Sequence, residues 1–323
     1  MKKKVLFQSL GCDKNLVDSE MMLGMLAESG YSFTDDENEA DAVVVNTCCF
    51  IGDAKEESVN TILEMAELKK SGQVKALVVT GCLAQRYQEE IRKEIEEVDA
   101  VIGTSAIKEL PAVLDAAFEG KAKDCYYRLD EKPLTGKKRI LTTGGHFAYL
   151  KIAEGCDKHC TYCIIPKVRG PYRSVPMDSL LREAQELADQ GVRELILVAQ
   201  ETTVYGQDLY GHKALPELLE RLCRIEGLVW IRILYCYPEE IDDALIRVIQ
   251  KEERICHYLD IPVQHASDSI LKRMGRRTDR EELTNIVKKL RREIPDICLR
   301  TTLIAGFPGE TEEDYETLLS FVE

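Results

Sequence analysis

The sequence lacks an apolar run long enough to span a bilayer, and it lacks any low-complexity tract. Its amino terminus carries three lysines before a short apolar segment at 5–7. Gln8 and Ser9 then interrupt that segment, which makes it too short for the apolar core of a secretory signal. These absences argue against a membrane-spanning or secreted protein, so we expect a cytoplasmic location.

The sequence also lacks an excess of positive charge. It holds 57 acidic and 43 basic residues, for a formal net charge of −14. Residues 1–145 carry 26 acids and 19 bases, and residues 146–323 carry 31 and 24, so each half has a net charge of −7. A large nucleic-acid interface normally needs a basic face. Neither half is therefore predicted to bind nucleic acid on its own, although a local basic groove stays compatible with these totals.

Apolar strand-like runs alternate with amphipathic helical patterns in the first half, and this alternation predicts a parallel α/β sheet in a domain at 1–120. The predicted strands are 4–10, 42–47, 76–80 and 100–103, and the predicted helices lie near 15–29, 53–70, 84–97 and 107–118. A Lys- and Gly-rich stretch at 121–145 is predicted to be a linker with an edge strand at 125–129.

A second series of strands and helices fills residues 146–323. The predicted strands are 148–153, 194–199, 229–235, 258–263 and 298–305, and the predicted helices lie near 177–190, 214–226, 239–252, 279–293 and 311–322. Five consecutive βα units predict either most of an open barrel or a doubly wound sheet. The pattern ends on a helix, so either the fold has five units or the chain is cut short.

Twelve cysteines without an export signal indicate a reducing compartment, where clustered cysteines are typical of metal or catalytic sites. Cys156, Cys160 and Cys163 form a C-x3-C-x2-C run directly after the first strand of the second half. Three thiolates on one loop suit a 4Fe–4S cluster with one iron left open. The alternative is a structural zinc site that includes His159. Closed zinc sites, however, usually take four ligands as two separated pairs, and the sequence has no second C-x2-C.

Three other cysteines, Cys12, Cys48 and Cys82, each lie just past the carboxyl end of a different predicted strand. Because the carboxyl ends of parallel strands meet at one edge of a sheet, we expect these three side chains to converge. Glycine before Cys12 and Cys82 gives the backbone freedom to turn a thiolate toward a shared centre. The alternative is that these are three small buried core residues.

The C-x3-C-x2-C run after a first barrel strand resembles the radical S-adenosylmethionine enzymes. The resemblance implies that its three cysteines hold a 4Fe–4S cluster. The open iron of that cluster binds S-adenosyl-L-methionine, and an electron from the cluster releases a 5′-deoxyadenosyl radical. Residues 303–310 resemble the loop beside the adenine, with Ile304 and Gly306 as cofactor contacts. Gln200 and Glu201, after the second strand, match the position near the cofactor's amino end.

With its amino-terminal cysteines the chain resembles the methylthiotransferases from Gln8 onward. The resemblance implies a parallel-sheet, flavodoxin-like domain followed by a radical S-adenosylmethionine (βα) barrel, which is incomplete in this chain. The resemblance implies a second 4Fe–4S cluster, held by Cys12, Cys48 and Cys82, that supplies or holds the inserted sulfur. One cofactor molecule then donates a methyl group, and a second generates the radical. Cys49 stands where the family usually has a small residue, which leaves the choice between Cys48 and Cys49 open, while the preceding Asn-Thr favours Cys48.

Segments 149–157, 164–174 and 202–210 resemble the branch that modifies the β-carbon of an aspartate in small-subunit ribosomal protein twelve. The alternatives are a tRNA adenosine methylthiotransferase and, from another class, a non-catalytic iron–sulfur carrier or scaffold, which would leave the 304–310 loop unexplained. The resemblance implies an electron donor such as flavodoxin or ferredoxin, with nucleic acid met only through the ribosome. The family continues with a last barrel strand and a substrate-binding TRAM domain, so we expect this chain to be a fragment.

The remaining candidates have weaker patterns. Five cysteines without a partner at ligand spacing are predicted to pack in the core: Cys125, Cys223, Cys236, Cys256 and Cys298. His265 follows the fourth strand of the second half, which suits a ligand contact and a structural histidine equally well. For the arginines at 169, 173, 276 and 277, the sequence does not decide between a substrate contact and a solvated surface charge.

Overall fold

The computed structural model describes residues 2–323, which form two compact units. The first unit comprises the chain up to Thr142 together with Ile164–Pro171, and the second comprises Thr143–Cys163 and Tyr172–Glu323. The stretch at 121–145 is therefore divided between the units at Thr142. Within residues 2–323, no helix has both the length and the apolar character needed to cross a bilayer.

The first unit is a parallel sheet flanked by helices. Its strands are β1 (Lys4–Ser9), β2 (Ser32–Thr34), β3 (Ala42–Thr47), β4 (Ala76–Gly81) and β5 (Ala100–Ile102). Its helices are α1 (Asp13–Glu28), α2 (Gly52–Lys70), α3 (Cys82–Arg86), α4 (Gln88–Glu94), α5 (Leu110–Phe118) and, from later in the chain, α6 (Ile165–Val168). The strand order is β2-β1-β3-β4-β5, all parallel. This order confirms the flavodoxin-like prediction.

The two central strands, β3 and β4, are buried along their whole length. Their near-continuous valine runs are typical of parallel strands that are covered on both faces. One face packs on Ile62 and Met65 of α2. The other face packs on Met22 of α1 and Leu110 of α5. The buried centre holds the carboxyl ends of β1, β3 and β4 in fixed register.

Three details of the first unit differ from the sequence-based prediction. Strand β2 was missed, because three residues are too few to display a strand period. The helix predicted at 84–97 is interrupted at Tyr87, whose backbone leaves the helical region (φ −124°, ψ 38°). The edge strand predicted at 125–129 was wrong, since only Cys125 forms a bridge, to Ile102.

The second unit is a parallel sheet whose strands follow one another in chain order. Its strands are β6 (Phe147–Lys151), β7 (Ala153–Glu154), β8 (Arg173–Ser174), β9 (Glu194–Val198), β10 (Trp230–Ile233), β11 (Ile255–Asp260) and β12 (Cys298–Arg300). Its helices are α7 (Met177–Asp189), α8 (Gln207–Tyr210), α9 (Leu215–Leu222), α10 (Asp243–Lys251), α11 (Asp268–Arg273), α12 (Arg280–Glu293) and α13 (Glu312–Val322). Short turns of 3₁₀-helix cover Glu37–Glu39 and Ile107–Glu109 in the first unit and Pro238–Glu240 in the second.

The five main strands of the second unit run in the order β6-β9-β10-β11-β12, and every pair is parallel. A doubly wound sheet reverses its strand order at a switch point, whereas a barrel adds each strand beside the last. The order therefore selects the open barrel from the two alternatives. The five predicted βα units are confirmed, while the small antiparallel pair β7–β8 and the short helices α8 and α11 were missed.

Candidate functional site

Cys12, Cys48 and Cys82 follow three neighbouring parallel strands, β1, β3 and β4. The strand ends are level, because Ser9 pairs with Asn46 and Asn46 pairs with Thr80. Cys48 and Cys82 are buried and Cys12 is exposed. Cys12 and Cys48 both lie close enough to Cys82 to contribute to the raised pKa of its thiol. The expected convergence of the three cysteines at one sheet edge is therefore confirmed.

Glycine is required before two of these cysteines. Gly11 has φ +94°, and a Cβ there would lie 2.6 Å from Cys48 Cβ and 3.0 Å from Cys48 Sγ. Gly81 has φ +96°, and a Cβ there would lie 2.4 Å from the Thr47 carbonyl oxygen. Both positions thus combine a left-handed backbone with a close approach that only glycine allows. This arrangement confirms the role predicted for the two glycines.

The side chain of Asn15 links all three cysteine-bearing loops. It is fully buried on α1, and its Nδ2 donates to the carbonyl oxygens of Leu10 at 3.0 Å and Thr47 at 2.9 Å. Its Oδ1 accepts from the Cys82 thiol at 3.8 Å. Sequence patterns missed this residue, because an asparagine near a helix start more often caps that helix.

Arg169 also reaches this amino-terminal site, from the segment that the chain contributes to the first unit after α6. Its guanidinium is buried, and Nε donates to Cys82 Sγ at 3.3 Å. Nη1 donates to Asp18 Oδ2 at 2.6 Å, and Nη2 donates to Asn15 Oδ1. The structure therefore places Arg169 against a cysteine sulfur rather than in solvent.

Burial governs the acidity of these thiols. It raises the pKa of Cys82 to about 12, an effect that Arg169 opposes, and it also raises the pKa of Cys48. Thiols in such surroundings ionise when a metal supplies positive charge. Across residues 2–323, no three His, Cys, Asp or Glu side chains surround one point as ligands of a single ion would. The ligands of a 4Fe–4S cluster bind different irons and need not do so.

The other three cysteines lie on one loop that follows β7. Cys156 and Cys160 are buried and Cys163 is partly buried. Thr161 anchors the loop, because its N–H donates to the Met274 carbonyl oxygen at 3.0 Å and its hydroxyl donates to that of Arg273 at 2.9 Å. Burial, together with the nearby Glu201, Cys163 and Cys160, raises the pKa of Cys156 to about 12. The three thiols are therefore electrostatic neighbours.

Two side chains from elsewhere in the second unit surround Cys160. The Tyr237 hydroxyl oxygen lies 3.3 Å from Cys160 Sγ. The buried Arg276 guanidinium stacks over the Tyr237 ring at 4.3 Å, with Nη1 at 4.0 Å from the same sulfur. The solvated alternative was therefore wrong for Arg276. Tyr237 was missed, although its place just after a barrel strand marks it as facing the strands' carboxyl edge.

A cavity of about 380 Å³ opens beside Cys156 within the second unit. This volume falls in the range of small-molecule sites. Its walls carry both carboxylates and cations, as a zwitterionic ligand requires. The lining residues are Cys156, Asp157, Lys158, Tyr172, Glu201, Val204, Gln207, Asp208, Lys213, Glu240 and Arg277.

Glu201 contributes a buried carboxylate to this cavity. Its Oε1 accepts hydrogen bonds from the backbone N–H (2.9 Å) and the hydroxyl of Thr203. Its Oε2 has no hydrogen-bond partner in the part of the chain that the structure describes. Burial raises the pKa of Glu201 to about 7, against the opposing hydrogen bonds from Thr203. The unpartnered oxygen is suited to accept from an ammonium group.

The other predicted cofactor residues do not line the cavity. Gln200 donates from Nε2 to Glu154 at 3.2 Å, and its Oε1 is without a hydrogen-bond partner among residues 2–323. Ile304 is fixed by its N–H, which donates to the Gln264 carbonyl oxygen at 2.7 Å. Gly306 has φ +76°, and the space that a Cβ would occupy is open. The structure therefore brings Cys156 and Glu201 to one cavity but leaves these three residues outside its walls.

The remaining candidates divide between core and surface. Cys223 and Cys236 are buried as predicted, and Cys125 and Cys256 are partly buried. The core prediction for Cys298 was wrong, because this residue is exposed on β12, the edge strand of its sheet. His265 is fully buried, and its Nδ1 accepts from the N–H of Ser267 at 2.9 Å.

Two family models match the chain. The model described as uncharacterized protein family UPF0004 matches residues 4–103. The model described as the radical SAM superfamily matches residues 150–322, which is more than half of the chain. The second unit is thus an enzyme domain of the radical S-adenosylmethionine superfamily.

Curated relatives extend the likeness over both units. A protein from Lachnoclostridium phytofermentans named ribosomal protein uS12 methylthiotransferase RimO is 64% identical over 319 residues, covering 99% of this chain and 72% of the relative. Proteins of the same name from Acetivibrio thermocellus and Clostridioides difficile are 53% and 50% identical. The matches span 100% and 99% of this chain and 72% of each relative. The chain belongs to the RimO family.

Solved structures support the fold of this RimO family member. TsrM from Kitasatospora setae, a radical S-adenosylmethionine methyltransferase, superposes with a TM-score of 0.69 at 15% identity, covering 99% of this chain and 70% of that one. The cobalamin-dependent radical enzyme OxsB superposes with a TM-score of 0.68 at 13% identity, covering 100% and 52%. At such identities the likeness concerns the fold alone, which is the α/β architecture described above.

The second unit fits the groups that a radical S-adenosylmethionine domain uses. Three neighbouring cysteines are one short of the four that would close a cubane, so one iron would stay open to a ligand. The cavity beside Cys156 has room for such a ligand, and Glu201, whose buried Oε2 has no hydrogen-bond partner within residues 2–323, belongs to its wall. The residues of this RimO family member are therefore compatible with a cluster and with a cofactor that carries an amino group.

Proposed function

We propose that this chain attaches a methylthio group to the β-carbon of an aspartate in ribosomal protein uS12, using two 4Fe–4S clusters and S-adenosyl-L-methionine. The observation that carries the proposal is the presence of two separate three-cysteine sites, one at the carboxyl edge of each sheet. Identity of 50–64% to proteins named for this activity supports the same conclusion.

In the second unit, Cys156, Cys160 and Cys163 hold the cluster that binds the cofactor. When bound, cluster and cofactor supply the electron, the methyl group and the 5′-deoxyadenosyl radical. Glu201 contacts the cofactor from the cavity wall, and Gln200, Ile304 and Gly306 contact parts of the cofactor that extend beyond the cavity. Glu201 accepts from the ammonium group through Oε2, because this oxygen is buried without a partner within residues 2–323. Gly306 leaves room for a flat group above the backbone.

In the first unit, Cys12, Cys48 and Cys82 hold the cluster that supplies or holds the inserted sulfur. Cys48 is the better ligand than Cys49, because its sulfur approaches Gly11, the neighbour of Cys12. Ser58 fixes the Cys48 backbone, because the Cys48 N–H donates to Ser58 Oγ and the Ser58 hydroxyl donates to the Cys48 carbonyl oxygen, both at 2.9 Å. Cys49 packs instead in the apolar layer with Ile62.

The partners follow from the chemistry of the site and from the charge. A low-potential cluster needs an electron donor, and we propose a flavodoxin or a ferredoxin in the cytoplasm. The net charge of −14 suits a basic ribosomal protein better than free nucleic acid, which this chain would meet through the ribosome.

The test is an anaerobic assay with the reconstituted chain, S-adenosyl-L-methionine and dithionite, offered uS12 and, separately, tRNA. We expect mass spectrometry to find a methylthio group on one aspartate of uS12 and none on tRNA. Product on tRNA alone would assign the tRNA activity. Iron without any 5′-deoxyadenosine would assign a carrier or scaffold.

A further inference from the structure

Arg169 is a buried cation directed at a cysteine of the amino-terminal site. Only 3% of the residue is exposed, and its three donor nitrogens all have acceptors: Cys82 Sγ, Asp18 Oδ2 and Asn15 Oδ1. Burying a guanidinium is unfavourable unless it is paired and hydrogen-bonded, and Asp18 provides the pairing charge. A protein that needed only packing here would be served by an apolar side chain. The retained charge therefore indicates a role at the sulfur.

The backbone that carries Arg169 is clamped on both sides. The Val168 carbonyl oxygen accepts from the Thr104 hydroxyl at 2.7 Å. Gly170 has φ +77°, and a Cβ there would lie 2.4 Å from the Leu129 carbonyl oxygen. The backbone N–H of Arg169 donates to the Ile165 carbonyl oxygen at 2.7 Å. A guanidinium on a fixed backbone has a fixed direction, and its planar fork can hold a sulfur, an amide and a carboxylate at once, which lysine cannot.

We infer that Arg169 is a positioning residue of the amino-terminal cluster, which orients Cys82 and raises the reduction potential of that cluster. The inference rests on the proposed function, because it takes Cys12, Cys48 and Cys82 as the ligands. Hydrogen bonds to cluster sulfurs and nearby positive charge both favour the more negative, reduced cluster. Asp18 offsets part of this charge at the far side of the guanidinium, so the two residues set the potential in opposite directions.

The test measures the potential of the amino-terminal cluster in the full chain that carries Cys156→Ala, Cys160→Ala and Cys163→Ala, so that one cluster remains. In this background, Arg169→Met should lower the ratio of reduced to oxidised cluster at a fixed potential by about tenfold. That change corresponds to a downward shift of 59 mV for a one-electron couple. Asp18→Asn should shift the potential upward. Electron paramagnetic resonance of the reduced cluster should change in both variants.

Arg139 provides a matched control. It is also buried, and it pairs with Glu20 of the same helix α1 at 2.5 Å. Arg139→Met removes a buried guanidinium that pairs with a carboxylate of α1, as Arg169→Met does, so any general loosening of the helix should appear in both variants. The potential and spectrum of the Arg139→Met protein should match those of the background.

The outcomes separate the inference from the function on which it rests. If the background holds no cluster, the assignment of Cys12, Cys48 and Cys82 fails. If the cluster forms, but Arg169→Met keeps the background potential or shifts it no more than Arg139→Met does, the inference fails. If Arg169→Met alone prevents assembly, Arg169→Gln is measured. It removes the charge and keeps a hydrogen-bond donor, so a lower potential supports the inference while an unchanged one overturns it.

Discussion

The two three-cysteine sites gather their thiols in opposite ways. In the first unit, Cys12, Cys48 and Cys82 come from three strand ends and meet only after the sheet has formed. In the second unit, a single stretch of eight residues, 156–163, carries Cys156, Cys160 and Cys163. The first site therefore depends on tertiary structure and on a central brace, Asn15. The second depends mainly on the local conformation of one loop, to which side chains from other elements add a few contacts.

Their surroundings differ in a way that matches the proposed division of labour. At the first site the polar groups point at sulfur, as Arg169 and Asn15 do at Cys82. At the second site a cavity opens beside Cys156, and Glu201 offers it a buried acceptor. This difference supports the proposal that the first site acts through its sulfur ligands and the second through a bound ligand.

The largest effect should follow from removal of the second site. The Cys156→Ala, Cys160→Ala and Cys163→Ala triple variant should lose about half of its iron and all cofactor cleavage, because the open iron belongs to this cluster. Iron analysis and 5′-deoxyadenosine measured by chromatography check this. Cys223→Ala, which removes a buried cysteine outside both sites, should keep both readouts. Persistent cleavage in the triple variant would remove the distinction between the sites.

Removal of the first site should break a later step only. The Cys12→Ala, Cys48→Ala and Cys82→Ala triple variant should still form 5′-deoxyadenosine with dithionite, but no methylthiolated product, because the sulfur source is lost. Mass spectrometry of uS12 provides the measurement. Cys49→Ala should retain product formation. Loss of cleavage in a correctly folded triple variant would contradict separate roles.

The contrast also explains what the sequence could reveal. The C-x3-C-x2-C loop is a local spacing, and the three strand-end cysteines are visible once the strands are recognised. The fold class followed from the alternation of strands and helices, and the strand order selected the open barrel. The sequence did not single out Asn15 or Tyr237, and it did not decide between a substrate contact and a solvated charge for Arg169. The contacts of these three residues arise where side chains of distant elements meet. Cys298 was misjudged because an apolar run does not show that its strand lies at a sheet edge.

A pH-dependent stability should mark the buried carboxylate of the second site in the metal-free, reduced chain. The raised pKa of Glu201, about 7 against an unfolded 4.5, stabilises the fold fully below pH 4.5, and this contribution is lost as pH rises through 7. The loss is about 3 kcal/mol. Glu201→Gln should therefore gain about that much in unfolding free energy, relative to the unmodified chain, between pH 4.5 and 8. Urea unfolding across this range measures it.

Glu240, on the wall of the same cavity, offers a control of opposite sign. Burial favours its neutral form, but hydrogen bonds from Lys158 and Lys213 outweigh this and lower its pKa. Its stabilisation is present above its unfolded pKa and is lost as pH falls. Glu240→Gln should thus lose stability at neutral pH and approach the unmodified chain in acid. A Glu201→Gln profile parallel to that of the unmodified chain would disprove the effect of burial on the Glu201 carboxylate.

The smallest effect tests whether the first site needs its brace. Asn15→Ala leaves the buried carbonyl oxygens of Leu10 and Thr47 without their donor, and should lower the unfolding free energy by about 2 kcal/mol. Asn60→Ala, at an exposed position of α2, should change it by less than about 0.5 kcal/mol. In the reconstituted chain, Asn15→Ala should reduce iron at the first site and spare 5′-deoxyadenosine formation at the second. Equal stability of the two variants, or equal loss of both clusters, would show that the three loops hold together without Asn15.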